Sequence, residues 1–502
     1  MGRGRVRPGN PARPQQGRVT PGNAARPEQT GKRSVITTIM FALLFVALVG
    51  EAPVEFDTSL YSGQWRSVFA ALGPLFTPIP GISLQPWQLL LVALAPFCLG
   101  ASATRLHARE MDRAIFVSAA CVAVTFLWGL VQGGSAYFAY YQLWRWLAAL
   151  LIAYMLMSVV RTERDLASLG KLVILSALIR AALCMYYYWA HLRGKVDPLP
   201  EYVISHDDSI LFVAAIQIAS FWAVLKGGKA AWTVAIIVSA YVMYAILLNS
   251  RRIAYVELVF SLPLIYVLIG ASPLRKRIVR WAMMLAPVVL VYFIAGAVSD
   301  SSIFAPVHAL TSTGDYNDPS SLTREEEIRN LLRTLVDYGN PIMGTGWGRP
   351  YIKIESVYSN YAADWILVLY TPHNSIVGLA AFSGLIGIVG IWGIMPVSGY
   401  LAARGYRNST GMVARTAAMA AIGTLVTYSV QCYGDIGLQS FQGAVMLGGA
   451  LATVSRVAML SEAVASPNTA AAQAADALHA PVPRPTYRRP RPVPAPTRRL
   501  SR

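Results

Sequence analysis

The sequence predicts an all-α polytopic membrane protein, and three observations carry that prediction. Of 502 residues, 55% are hydrophobic and 14% charged, whereas a soluble globular chain carries about 25% charge. Apolar runs of bilayer-spanning length recur along most of the chain. The connections between them alternate, one rich in Lys and Arg and the next nearly free of them, as the positive-inside bias of insertion requires.

The elements follow in chain order. Residues 1–34 hold eight Lys or Arg against Glu28, and residues 461–502 hold seven Arg against Glu462 and Asp476, so the tails carry 12 of the net +18. Both are rich in Pro, Ala and Arg and poor in branched apolar residues, which predicts disordered basic cytoplasmic tails. Their charge reads as a topology signal that also touches anionic lipid, and no nucleic-acid partner is expected. The first apolar run is a span rather than a cleaved signal, because its basic leader is long and no small-residue cleavage site follows.

Spans fall near 35–50, 86–103, 114–131, 143–160, 171–190, 209–225, 231–248, 253–271, 281–297, 375–400, 411–432 and 437–459, about twelve in all. Helices 1–9 thus occupy 35–297, a large loop 298–373, and helices 10–12 residues 374–460. With the basic N-terminus inside, the clusters 105–113, 161–171, 226–229, 275–280 and 404–407 all fall on the cytoplasmic side, and the loop is extracytoplasmic. Cys98, Cys121, Cys184 and Cys432 lie within or at the ends of apolar runs without metal-ligand spacing, as packing residues do.

One cluster departs from this charge pattern. Asn249-Ser-Arg-Arg252 occupies the short outer connection between the seventh and eighth spans, where cations oppose insertion. Arg251 and Arg252 are therefore candidate functional cations. Snorkelling to lipid phosphates is the alternative.

Within the large loop, residues 320–340 predict a surface helix. Thr323 and Glu326 have capping-box spacing, Ile328, Leu331, Leu332, Leu335 and Val336 repeat at helical intervals, and Gly339 and Pro341 end the run. The apolar face is expected to rest on the bundle. Arg324 in a first turn opposes the helix dipole, which suggests an anionic contact, with a solvated Arg as the other reading. Asn340-Pro-Ile-Met-Gly-Thr-Gly-Trp-Gly348 predicts a tight turn or a close backbone approach to a ligand, with Gly346 at its centre. His373 and Asn374 close the loop and lead into a helix dotted with Gly378, Gly384, Gly387, Gly390 and Gly393, which permits close packing.

In order and spacing, Ser250-Arg251, Ser321-Leu-Thr-Arg324, the 340–348 turn and His373-Asn374 with Gly384 and Gly387 resemble the O-antigen ligase and polymerase superfamily of bacterial surface-glycan assembly. The likeness is close over residues 230–400. Arg252 doubles the first cation, and Trp347 stands where a smaller residue is frequent. The resemblance implies a multi-pass glycosyltransferase of the bacterial cytoplasmic (inner) membrane with an extracytoplasmic active site. It would take a glycan from undecaprenyl pyrophosphate and pass it to a hydroxyl of a glycan or lipid acceptor in O-antigen, exopolysaccharide or capsule synthesis. Other polysaccharide-assembly proteins are further candidate partners.

Under that reading Arg251 or Arg252, with Arg324, binds the pyrophosphate, since guanidinium groups match phosphate oxygens without losing charge. His373 is the base, because imidazole accepts a proton near neutrality, and direct displacement inverts the anomeric centre. Asn374 and Gly346 support the site. No cofactor or metal is expected: Asp-x-Asp is absent, and Asp207, Asp208, Asp315, Asp318, Asp364 and Asp435 are scattered along the sequence. Arg180 and Glu257 are read as an intramembrane pair, or as lining a donor groove. Tyr137, Tyr140, Tyr141 and Trp144 read as interfacial anchors. A transporter or flippase of lipid-linked glycans is the rival reading, disfavoured by the lack of an internal repeat. Polymerase and ligase are not separated by any residue, and the absence of a dedicated core-lipid feature leans towards polymerase.

Overall fold

The computed structural model describes residues 35–50, 86–100, 108–195, 203–269, 273–299, 301–304, 306–308, 319–354 and 369–465. Among them the only β feature is an isolated bridge between Asn340 and Gly344. Fourteen helices follow in order: α1 Val35–Val49, α2 Pro86–Gly100, α3 Arg109–Val131, α4 Ala136–Val159, α5 Glu163–Tyr187, α6 Asp208–Lys226, α7 Lys229–Asn249, α8 Arg252–Ile269, α9 Pro273–Val298, α10 Pro319–Arg333, α11 Ser375–Leu385, α12 Ile394–Asn408, α13 Met412–Gly434 and α14 Phe441–Ala465. Each of the expected apolar runs carries a helix within its described residues. Nine helical stretches among the described residues are long and apolar enough to cross a membrane, and α1 and the 89–98 segment of α2 are shorter apolar helices. The expected disorder of residues 1–34 and 466–502 lies outside the described residues, whereas 461–465 extend α14.

The helix starts have local causes. At α5, Thr162 Oγ1 accepts from Asp165 N while Asp165 Oδ2 accepts from Thr162 N at 3.0 Å, a reciprocal capping box that satisfies two orphan donors. At α11, Asn374 Oδ1 accepts from Val377 N at 3.0 Å. The short connections between successive helices gather the ends of α3, α5, α7 and α13 with the starts of α4, α6, α8, α11 and α14 at one end of the bundle. The basic connections 161–171, 226–229 and 404–407 lie at the other.

In the packing, α14 runs against α4, α12 and α13, while α13 also packs on α6 and α8. Trp146, Trp392 and Tyr428 form an aromatic centre, with Trp392 5.9 Å from Trp146 and 6.2 Å from Tyr428. The expected span 375–400 lies within one membrane-length helical stretch, Ser375–Asn408, which is kinked. Gly384 adopts φ +56°, and the 386–391 stretch widens to π-helical pitch before α12 begins. A left-handed residue cannot continue a helix, and glycine adopts it without steric cost. Ser118 Oγ donates to the Ile391 carbonyl at 3.1 Å, which satisfies one group at the irregular segment.

Arg180 and Glu257 do not pair. The Arg180 guanidinium instead grips Asp208 bidentately, Nε to Oδ1 at 2.7 Å and Nη2 to Oδ2 at 2.5 Å, with both side chains fully buried. Gln442 Nε2 also donates to Asp208 Oδ1 at 3.1 Å. Asp208 opens α6, which packs along α5, so it is the carboxylate that this packing brings to Arg180. Glu257 is buried in α8 beside the end of α13, where it interacts electrostatically with Asp435.

Candidate functional site

The site end is built from four converging segments. The first is the α7–α8 turn. Ser250 is left-handed at φ +53°, the one non-glycine residue with positive φ among those described, and it reverses the chain between the two helices. Such a backbone position costs about 1–3 kcal/mol and persists only where the surroundings hold it. Here Asn249 supplies the hold, its Oδ1 accepting from Val203 N at 2.9 Å and Ile204 N at 2.8 Å. Arg251 then projects inward at 9% exposure, whereas Arg252, the first residue of α8, is exposed. The doubled cation is thus divided, one guanidinium facing the interior and one facing out.

The second segment, 203–208, is buried throughout, with His206 Nε2 3.4 Å from Asp207 Oδ1 and Phe441 N donating to Asp207 Oδ2 at 3.1 Å. The third is Asp435, which ends α13 and accepts from Ile436 N at 2.9 Å. Burial opposes its ionised form, but His206, Arg251, that backbone N–H and His373 together hold the carboxyl below its ordinary range. Arg251 and His373, distant in sequence, therefore act on one carboxylate.

The fourth segment is His373-Asn374. His373 Nδ1 lies 2.8 Å from Glu327 Oε2, and Asn374 N donates to Glu327 Oε1 at 3.2 Å. Glu327 is fully buried while the imidazole remains 36% exposed. A carboxylate oxygen accepts, so the Nδ1 hydrogen points at Glu327 and the lone pair resides on Nε2. Ser375 Oγ, accepting from Leu438 N at 3.2 Å, ties this corner to the 437–439 turn that follows Asp435.

Helix α10 delivers Glu327. It begins at Pro319, so Thr323 sits inside it, and neither the expected capping box nor a first-turn Arg324 is present. Its buried stripe is Glu327, Asn330, Leu331 and Thr334, while Leu332 and Val336 are exposed. The polar members are satisfied: Thr334 Oγ1 accepts from Ile352 N at 2.9 Å and Asn330 Oδ1 from Ile354 N at 3.1 Å. Arg324 precedes Glu327 by three residues, which puts it on the same helix face, with its side chain exposed.

The glycine-rich turn is a docking element. Gly346 at φ +86° lies against Gly129 of α3, where a Cβ would overlap the Gly129 backbone. Trp347 Nε1 donates to Thr125 Oγ1 at 2.9 Å, and Gly348 N to Gln142 Oε1 at 2.6 Å. The close backbone approach is therefore to α3 and α4. Nearby, Arg145 of α4 stacks over Trp144 at 4.5 Å and donates to Gln439 Oε1 at 2.8 Å, so the face of Trp144 also holds a cation.

Sequence reasoning missed Glu327, His206 and Arg145, and read Asp435 as one of several scattered acids. The signal for Glu327 was its place in the 327, 330, 331, 334 helical stripe. Asp315, Asp318 and Asp364 lie outside the described residues, and among those described no cluster of three His, Cys, Asp or Glu residues is arranged to hold a metal. Residues 234–392, which carry Arg251, Arg324, Glu327 and His373, match the family model described as O-Antigen ligase. No curated protein matches the chain.

Proposed function

We propose, from that match over residues 234–392, that the chain works in polysaccharide assembly as a member of the O-antigen ligase and polymerase superfamily and transfers a glycan from undecaprenyl pyrophosphate to an acceptor hydroxyl, without a metal and with inversion. The acceptor oxygen attacks the anomeric carbon as its proton passes to His373 Nε2. The bond to the diphosphate oxygen breaks, and the leaving group departs with the electron pair. Arg251 meets its developing charge, and Arg324, whose exposed side chain lies one turn before Glu327 on α10, closes on it from the loop. Glu327 orients the imidazole and stabilises its protonated form. Asp435 keeps Arg251 and His206 in position before the donor arrives. In this reading the active site faces away from the cytoplasm, both termini are cytoplasmic, and the membrane is the inner one.

The observation that carries the reading is the part-exposed His373 imidazole held by buried Glu327 at 2.8 Å, with the Arg251 guanidinium turned inward at the same end of the bundle: a base suited to a hydroxyl and a cation suited to diphosphate. The test is glycan-linkage analysis in membranes of a deletion strain complemented with the wild-type chain or His373→Ala. Loss of product with lipid-linked units still reaching the outer face supports transfer. Undiminished product in the variant overturns it, and loss of outer-face units points to a flippase. In the deletion strain, absence of long chains on the carrier identifies a polymerase, whereas accumulation of long unattached chains identifies a ligase. We favour the polymerase.

A further inference from the structure

A second cavity opens at the site end, away from His373. It encloses about 280 Å³ between the last turn of α3 and the 338–349 segment, and Trp128, Gln132, Tyr338, Asn340 and Arg349 supply its side-chain walls. That volume is near the lower limit of pockets that enclose a small molecule, roughly 300 Å³, which suits one sugar ring rather than a length of chain.

The frame is rigid before anything binds. Trp128 Nε1 donates to Gly344 O at 3.2 Å, Asn340 and Gly344 exchange backbone hydrogen bonds at 3.1 and 2.6 Å, and Asn340 Oδ1 accepts from Ile342 N at 2.8 Å. Rigid walls lower the ordering cost of binding. Within this frame the polar groups are unspent. Among the described residues the Gln132 amide, the Asn340 Nδ2, the Tyr338 hydroxyl and the Arg349 guanidinium have no hydrogen-bond or ionic partner. Tyr338 is 59% exposed.

Aromatic walls with planar amides and a hydroxyl match the apolar faces and equatorial hydroxyls of a sugar ring. Among the described residues, the one charged wall residue is Arg349 and no carboxylate lines the cavity, so these walls carry a single positive charge. A guanidinium meets a carboxylate with two parallel hydrogen bonds, a match that neutral sugars lack.

We propose that this cavity is a saccharide subsite that holds one carboxylate-bearing sugar of the glycan under assembly. Its place in assembly rests on the transfer reading above, but the binding itself does not. Retention of a residue there would keep a chain on the enzyme between additions.

The full-length protein in lipid nanodiscs is titrated with methyl glucuronide, methyl galacturonide and methyl glucoside, followed by saturation-transfer NMR. At least one uronide is expected to saturate, with the glucoside about tenfold weaker. Arg349→Gln should remove the preference for the acid, and Tyr338→Ala, at an exposed position, should weaken both classes. His373→Ala should bind as the wild type does. The inference is overturned if neither uronide saturates, if the glucoside binds as well as the acids, if Arg349→Gln leaves the preference intact, or if His373→Ala abolishes binding. Because this readout needs no transfer, a failure of the His373 base role leaves it decisive, and a failure here leaves the transfer reading untouched.

Discussion

Glu327 and His373 stand 46 residues apart in the chain and meet at 2.8 Å, a buried carboxylate against a part-exposed imidazole. Glu327 also receives the Asn374 backbone N–H, so a single side chain sets both the ring orientation and the start of α11. Glu327→Gln keeps the volume but replaces an acceptor oxygen by a donor amide. We predict a fall in kcat of about 10²-fold, with KM little changed. A fall in KM-controlled binding alone, measured with lipid-linked donor in nanodiscs, would count against a role through His373.

Arg251 and Arg252 are neighbours with opposite environments, one buried and one exposed. Arg251→Gln is expected to reduce transfer by about 10²-fold, the scale for removing one charge-stabilising contact from a reacting centre. Arg252→Gln should stay within a few-fold. Equal losses from the two substitutions, in the same membrane assay, contradict the division.

The Asp435 carboxyl is held below its ordinary value of 3.8. A depressed acid contributes stability above its unfolded value and loses it as pH falls through the folded one. Wild type should therefore be more stable than Asp435→Asn, by on the order of 1–3 kcal/mol, at pH 5 and above. The difference should shrink only below about pH 4. A gap that already closes between pH 7 and pH 5 rules out this account.

Arg180 and Asp208 form a fully buried bidentate pair. Removing one partner leaves a buried charge, so Arg180→Met is expected to destabilise the protein by about 3–5 kcal/mol. Combining it with Asp208→Leu should recover part of that loss, read as the melting temperature of the purified protein. A double variant no better than the single one shows that the pair contributes more than charge compensation.

At Gly346 both the positive φ of +86° and the contact with Gly129 exclude a side chain. Gly346→Ala should cost at least about 2 kcal/mol and lower the folded yield in membranes. Binding of donor without loss of folding in that variant is the contrary result, since it would make the turn a ligand loop.

Apolar runs reveal helices wherever the bilayer is the solvent, because a chain in lipid must satisfy its backbone internally whatever its neighbours. For that reason α3 to α9 were legible as apolar runs, although α3, α4, α5 and α9 begin several residues before them, and the candidate cations and base stood out as polar groups at apolar borders. The site role of Glu327 was missed, since its burial depends on which face of α10 meets the bundle. The partner of Arg180 was misassigned because hydropathy locates a charge along a helix without saying which adjacent helix it faces.

By itself the sequence determined the class, the helical segments and the chemical types gathered at their borders, all of which follow from transfer between water and lipid and need only local composition. The tertiary structure alone decided the partnerships: Arg180 with Asp208, Glu327 with His373, and the gathering of His206, Arg251 and His373 within electrostatic reach of Asp435. Such contacts depend on helix rotation and crossing, which packing sets at a scale of a few ångströms and which no pattern along a single chain encodes.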